Sequence, residues 1–511
     1  MALKPRKLSI KSVPGQKEMH FLPIVALRSV TSKSGKGVYA SSDWLFKGAV
    51  FGRDSLEVAE DLLKSRPGLV RKILLTLASL QGLKTNTANE EEPGKIIHEY
   101  RTTILDGKPI DDTSQAIFDT LSDKWGGTDK ELAYYGSIDS TPQFLRTLGM
   151  YCQEKGRSIL KMEIKKRNGN MGNILESAEF ATDWLVEKIG TSRSGLLEYQ
   201  RVNPQGIENQ VWKDSKEFYV HESGELANHN APISSIEVQG LAYDGLLSAA
   251  EFFPDRAETL QKLAEVLRDK TIELLWLPDR KAFALGTDFD QIGNLRIIKT
   301  ETANPAALLD TRFFDELEPE KRRQYLTAII KNIMSPHFLT DAGIRSRALH
   351  EAHLIPYWDY HGSFVTWPKE TYDIAKGLRR QGFPLLANQL ENRLLNVYFK
   401  NRSYQEFIYV DGHGRVLSAS KGSNTHGNFT FIDGINTPER IQAWTVSAII
   451  AILNSRFNYK TLSLKTPKRA TWVKSLEKEV LNASPKVRLY LNPFSLAVRY
   501  PTYQYKINKQ G

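Results

Sequence analysis

The sequence predicts an all-α fold, a closed (α/α)6 toroid of six helical hairpins with long loops forming one functional face. Three observations lead there. Apolar residues recur at helical spacing along most of the 511 residues, whereas the alternation of half-buried strands is sparse. Arg66-Pro67 and Gly382-Phe383-Pro384 punctuate pairs of consecutive amphipathic segments, as short turns between antiparallel helices require. Connections at 83–110, 125–140, 190–232, 278–301, 335–366 and 401–436 are longer than joining requires, which marks loops that carry function.

Taken in order, the periodicity predicts helices over 53–64, 67–82, 112–124, 141–155, 171–189, 233–253, 256–276, 302–311, 317–333, 368–381, 383–399 and 438–454. The segments at 112–124 and 302–311 carry the weakest pattern. No repeat of fixed short period is visible, which argues against a superhelical solenoid. Residues 1–39 read as an N-terminal extension, 40–460 as the toroid, and 461–511 as a C-terminal extension. Within that last stretch Val487–Tyr505 alternates apolar and polar residues, so a small strand-containing tail packed on the barrel is expected.

At 41% hydrophobic and 25% charged residues the chain is neither disordered nor fibrous. Lys and Arg outnumber Asp and Glu by 69 to 59, a formal charge of +10. The excess is diffuse. Its clusters, at Lys4–Lys7, Lys161–Arg167 and Lys465–Lys474, lack the interleaved aromatics of a single-strand binder, so no nucleic-acid partner is expected. Cys152 is the only cysteine, which excludes an intrachain disulfide and a cysteine-based metal site. His98, His221, His229 and His361 are too dispersed to form ligand pairs, so no metal is expected. The N-terminus is basic but has no apolar stretch behind it, and no run of eighteen apolar residues occurs. The expectation is a cytoplasmic protein with no membrane partner. Nine Trp and twenty Tyr supply flat apolar faces with a polar handle, which suit sugar rings as well as nucleobases.

Cleaving a glycosidic bond takes one carboxylic acid on the leaving oxygen and one carboxylate on the opposite face of the sugar. Three segments place acids beside aromatic and polar groups. In Asn209–Ser215, Asp214 follows Trp212 and Lys213 in the longest loop, although a helix-capping surface turn fits the same spacing. In Tyr404–Asp411, Glu406 lies inside an aromatic-apolar run, which implies either an ion-pair partner such as Arg402 or a catalytic role. In Val50–Ser55, Arg53 and Asp54 open a helix. Asp54 is a good N-cap type there, and the pair also suits sugar hydroxyls because Arg only donates and ionised Asp only accepts.

Taken together, FGRDS (51–55), EEPGKIIHEYR (91–101), YYGSIDSTPQF (134–144), NQVWKDS (209–215), IEVQG (236–240), YHGSFVTWPKE (360–370), QEFIYVD (405–411) and NTPERIQAW (436–444) resemble the amylo-α-1,6-glucosidase family. That family forms the glucosidase half of glycogen debranching enzymes and has six-hairpin relatives, among them glucoamylase-like and glucosylglycerate hydrolases. The resemblance implies that Asp214 is the general acid and Glu406 the general base. It further implies that Arg53 and Asp54 hold the terminal sugar, and that Glu99, Arg101, Asp139, Gln210, Trp212, Lys213, Gln239, Trp367 and Trp444 line the cleft. The chain departs from the pattern after Trp367-Pro368, where relatives often carry His and Asp and this sequence has Lys369 and Glu370. That makes Glu370 a rival base. Glu439, beside Arg440, reads better as a cap or ion pair. The large β-domain and the transferase domain of many relatives are not in this sequence.

The expected function is an inverting, exo-acting α-glucosidase that releases terminal glucose from an α-glucoside or α-glucan and needs no cofactor. Its alternatives are a glucosylglycerate- or mannosylglycerate-type hydrolase of a small glucoside, a phosphorolytic relative, and a non-catalytic carbohydrate-binding protein.

Overall fold

A computed structural model describes residues 22–42, 44–356, 359–417, 425–426, 429–430, 438–457 and 469–483. Helices dominate and strands are short. The helices are α1 (Pro23–Val30), α2 (Gly52–Leu62), α3 (Pro67–Ser79), α4 (Asp112–Trp125), α5 (Ser140–Lys155), α6 (Ile174–Gly190), α7 (Ile236–Phe252), α8 (Ala257–Leu275), α9 (Pro319–Ile333), α10 (Pro368–Arg380), α11 (Pro384–Asn401), α12 (Ala443–Phe457) and α13 (Thr471–Ala483).

Local chemistry explains many of the boundaries. Proline begins α1, α3, α9, α10 and α11, where its fixed φ suits the first turn and its missing N–H would have had no partner. Asp111 and Asn173 cap α4 and α6, each accepting a 3.0 Å bond from a backbone N–H of the first turn. Segment 302–311 is a 3-10 helix, Asn304–Asp310, rather than an α-helix. The last expected helix starts at Ala443 instead of 438. The periodicity gave no sign of α1 or α13, which lie in the stretches read as extensions. The strand expected over Val487–Tyr505 lies outside the described residues.

Packing is ordered in two sets. In the first, α2 lies against α5, α5 against α7, α7 against Asn304–Asp310, that segment against α10, α10 against α12, and α12 against α2. The second set backs the first: α3 on α2, α6 on α5, α8 on α7, α9 on Asn304–Asp310, α11 on α10, and α1 on α12. Side-chain patterns match the two roles. Along α7 nearly every face is buried, including Glu237, Gln239 and Asp244, whereas α8 buries one stripe of Leu260, Ala264, Leu267, Thr271 and Leu275.

Short sheets join the connections. Strand β1 (Val50–Phe51) pairs with β2 (Glu99–Thr102), and β2 with β3 (Glu131–Tyr134), all antiparallel. A second antiparallel sheet has the order β7-β6-β5-β4, from β4 (Glu198–Tyr199), β5 (Ile233–Ser235), β6 (Gly286–Phe289) and β7 (Leu295–Ile298). Strands β8 (Val365–Thr366) and β9 (Ile408–Tyr409) pair antiparallel and bring the 360s beside the 400s. Among the described residues, no helix is long and apolar enough to cross a membrane.

Candidate functional site

Several residues singled out in the sequence stand where the first set of packed elements begins, beside Glu237 and Asn304, which were not singled out. Arg53 and Asp54 stand in the first turn of α2, Asp139 just before α5, Glu237 in the first turn of α7, and Asn304 at the start of the 3-10 segment. Trp367 immediately precedes α10 and Trp444 lies in the first turn of α12. Contacts tie these starts together. Arg53 pairs with Asp139 at 2.8 Å, the Gln442 amide donates to Asp54 at 2.9 Å, and Trp367 and Trp444 meet edge to face at 5.8 Å. Helix N-termini carry partial positive charge, so this end of the fold can hold a concentration of carboxyl groups.

Asp214 comes in from the loop after β4. The Tyr360 hydroxyl donates to its Oδ1 at 2.7 Å, and neighbouring Ser215 donates to Asp359 at 3.0 Å. The acid's loop is thereby fastened to the 359–361 turn at two adjacent residues. Burial raises the pKa of Asp214, and the charge of Arg53 and the bond from Tyr360 reverse that only in part. Asp214 keeps part of its surface exposed, whereas Glu406 is buried. Its backbone N–H donates to the Glu439 carbonyl at 2.9 Å, and its Oε2 accepts from the Glu439 N–H at 3.2 Å. Burial drives its pKa well above the ordinary carboxylate value, and the charges of Glu439, Asp54 and Asp214 add to the rise. Among the described residues, no cation is seen in an ion pair with either carboxyl.

The other acids differ. Glu370, the rival base, is ion-paired to Lys213 at 2.6 Å and accepts from the Ser346 hydroxyl at 3.1 Å. The Lys213 ammonium, fully buried, also donates to Asn304 at 2.7 Å and lies 5.0 Å from the Trp212 ring centre. Burial lowers its pKa, with Glu370 opposing. Glu439 accepts from Ser41 Oγ at 2.9 Å and from the Phe46 N–H at 3.2 Å. Glu99 pairs with Arg101, whose guanidinium also reaches the Leu45 carbonyl at 2.9 Å.

Two amides are committed elsewhere. Gln239 makes three bonds to backbone, accepting from Leu197 N–H at 2.8 Å and donating to the Leu197 and Ser235 carbonyls at 2.9 Å. Gln210 donates to Glu90. Asp54 is not an N-cap: the helix begins at Gly52, and Phe51 in the cap position makes no side-chain bond. Burial instead raises the Asp54 carboxyl to a pKa of about 7, with Arg53 pulling it down. Arg53 is held above its usual value: burial opposes its charge, but Asp139, Asp214, Asp54 and Glu237 together outweigh that.

Sequence reasoning passed over three residues. Glu237 is buried, accepts from the Trp212 indole at 2.9 Å, and is raised by burial to about 7. An acid in a helix's first turn is so common that nothing set it apart. Tyr360 and His361 stand inside a quoted motif in which only Trp367 and Glu370 were singled out. His361 stacks on Trp367 at 5.0 Å and meets Trp212 edge-on at 5.3 Å. Its ring nitrogens are buried without a hydrogen-bond partner, and burial keeps the imidazole neutral. With Phe407 and Trp444 these rings form an aromatic wall. A cavity of about 520 Å³ opens beside Asp214 and Tyr360, with Arg201, Glu208, Lys216 and Asp359 among its other walls.

Among solved structures, the chain is similar to one described as a wild-type glycosidase, with a TM-score of 0.48 and 9% identity over 87% of this chain and 98% of that one. It is also similar to the GH63 mannosylglycerate hydrolase of Thermus thermophilus in complex with glucose, with a TM-score of 0.49 and 13% identity over 84% of this chain and 99% of that one. No protein-family model and no curated protein matches the sequence.

Proposed function

We propose that this chain is a glycoside hydrolase, an inverting exo-acting α-glucosidase on a six-hairpin toroid, with Asp214 as general acid and Glu406 as general base. One observation carries the reading. Two carboxyls, Glu406 buried and Asp214 partly exposed at the cavity, lie beside an aromatic wall, within reach of each other's charge and without an ion-pair partner among the described residues. Burying an uncompensated acid costs stability, so a fold that keeps two of them together has a use for their protons. Repulsion between them disfavours ionising both at once, and one protonated and one ionised carboxyl is the division of labour that hydrolysis needs. The closed cycle of packed elements supports the toroid, and the motif resemblance supports the α-glucosidase reading. Arg53 and Asp54 then hold the far hydroxyls of a terminal sugar. The ion pair of Glu370 with Lys213 favours Glu406 as the base.

Burial favours the proton on Glu406 more than on Asp214, the reverse of these roles. Catalysis in these roles therefore proceeds from the form with the proton on Asp214 and Glu406 ionised, which can both protonate the glycosidic oxygen and take a proton from water.

Glucose release from a panel of α-glucosides, with and without phosphate, tests the reading. Hydrolysis without phosphate is expected, with the β-anomer of glucose formed first by proton NMR. A requirement for phosphate means phosphorolysis, no release from any glucoside means a binding protein, and an initial α-anomer means retention. Asp214→Asn and Glu406→Gln should each lower kcat at least ~100-fold without lowering the melting temperature. Asp214→Asn should recover on an activated aryl glucoside, which needs no acid. If Glu406→Gln recovers instead, the roles are exchanged.

A further inference from the structure

We infer that Tyr360 is the positioning residue of this site: its hydroxyl fixes the Asp214 carboxyl with one oxygen turned to the leaving group and steadies the carboxylate left after proton transfer. The inference rests on the reading of Asp214 as general acid.

The geometry is specific. Tyr360 donates to Oδ1 at 2.7 Å, which leaves Oδ2 to carry the proton that moves. Tyr360 is itself held on several sides. Its carbonyl accepts from the Trp367 indole at 2.7 Å, and its ring lies 4.3 Å from His361 and 6.2 Å from Phe407. Asp359, one residue earlier, accepts from the His361 N–H at 2.7 Å and from the Ser215 hydroxyl at 3.0 Å. The hydroxyl therefore cannot swing away without dismantling the turn. Burial, with Asp214, Asp359 and Glu406 nearby, keeps the phenol protonated, so it acts as a donor throughout.

The bond strengthens as the reaction proceeds. When the Asp214 proton passes to the glycosidic oxygen and the carbon–oxygen bond breaks, the carboxyl gains a full negative charge. A hydroxyl bonded to a carboxylate is stronger than one bonded to a neutral acid. Tyr360 thus lowers the cost of giving up the proton. The cavity of about 520 Å³ borders both partners of this bond, Asp214 and Tyr360.

The test is Tyr360→Phe, which removes one oxygen and keeps the ring. On an alkyl α-glucoside with a poor leaving group, kcat should fall about 10–100-fold with KM little changed. On a dinitrophenyl α-glucoside it should stay within about 3-fold, because that leaving group departs unprotonated. Ser215→Ala loosens the same loop but keeps the Tyr360 hydroxyl on Asp214, so it should leave the Asp214 titration in place. Adding Tyr360→Phe to Asp214→Asn should cost nothing further. Carbon-13 NMR of the Asp214 carboxyl supplies a readout apart from activity. The groups facing it are Arg53, Tyr360 and its own backbone N–H, which lower its pKa, and Asp139 and Glu406, whose negative charge opposes its ionisation, so Tyr360→Phe should move the titration to higher pH. Equal losses on both substrates, or an unmoved titration, would overturn the role of Tyr360. A protein that cleaves no glucoside but still shows the titration shift would refute the function and keep the contact.

Discussion

Asp54 and Glu237 hold their protons up to a pH of about 7 because both are buried without an ion-pair partner among the described residues. The sign of the consequence follows from proton binding. Between the ordinary carboxylate value and 7 the folded chain binds more protons than the unfolded one, so stability falls as pH rises through that window. For Glu237, from 4.5 to about 7, the loss is of order 3 kcal/mol. Glu237→Gln has no charge to bury, so its unfolding free energy in urea should be nearly flat between pH 5 and 8 relative to the parent. The variant should be the more stable protein at pH 8. Equal slopes for the two would show that Glu237 ionises as freely in the fold as outside it. The Trp212 indole donates to this carboxyl, so a loss of activity in the same variant would bring Glu237 into the site's chemistry.

At the scale of elements, the start of α2 depends on a close approach. Gly52 donates its N–H to the His98 carbonyl at 3.0 Å, and a Cβ on it would lie 2.0 Å from the Ile97 carbonyl oxygen. Gly52→Ala must push β2 away from α2, and with it Arg53 and Asp54. A cost of about 1–3 kcal/mol in urea unfolding is expected, with a drop in kcat/KM that exceeds any effect of Gly68→Ala, a site with open space. Undiminished stability would mean that the strand shifts freely. The FGRDS motif was legible in the sequence, but the reason for its glycine was not, because the carbonyl it meets lies some 45 residues away. The long amphipathic helices were legible for the opposite reason, since each carries its whole pattern within itself. Helix α1 is eight residues long and escaped notice. The strands of two to four residues are specified by distant partners rather than by their own alternation. Tyr360 was hidden in the same way: an aromatic residue among aromatics shows its role only when the carboxyl it touches is brought to it.

At the scale of the whole molecule, a buried charge network crosses the elements that pack into the closed cycle. Lys369 reaches Glu57 at 2.9 Å and Asp373 at 2.7 Å, and Lys376 reaches Asp61 at 2.9 Å and Asp373 at 2.8 Å. Arg146 reaches Asp310 at 2.9 Å, Glu60 at 3.3 Å and Asp244 at 3.5 Å, and Ser447 donates to Asp61 at 2.7 Å. Removing one cation leaves buried carboxylates uncompensated, so Lys376→Met should cost about 3–5 kcal/mol at pH 8. Burial already raises Asp61 to about 7, and losing Lys376 raises it further. At pH 5 that carboxyl is protonated in the fold, and the deficit of the variant should shrink. A deficit independent of pH would assign the loss to packing instead.

The same closure sets a timetable. The Glu406 carboxyl accepts from the backbone of Glu439, whose own carboxylate is gripped by Ser41 and Phe46, while the Ala443 N–H reaches the Ala40 carbonyl at 2.8 Å. Residues near 40 therefore meet residues near 440, and helix α1 packs on α12. A ribosome adding 5–20 residues each second takes roughly 20–80 s to cover that distance. Throughout that interval the early helices emerge without the partners that complete their burial, and a chaperone has time to occupy them. A nascent chain halted before residue 439 lacks the backbone that seats Glu406, so on the proposed reading truncated translation products are catalytically silent and the first turnover reports a chain in which the segment near residue 40 has met the segment near residue 440.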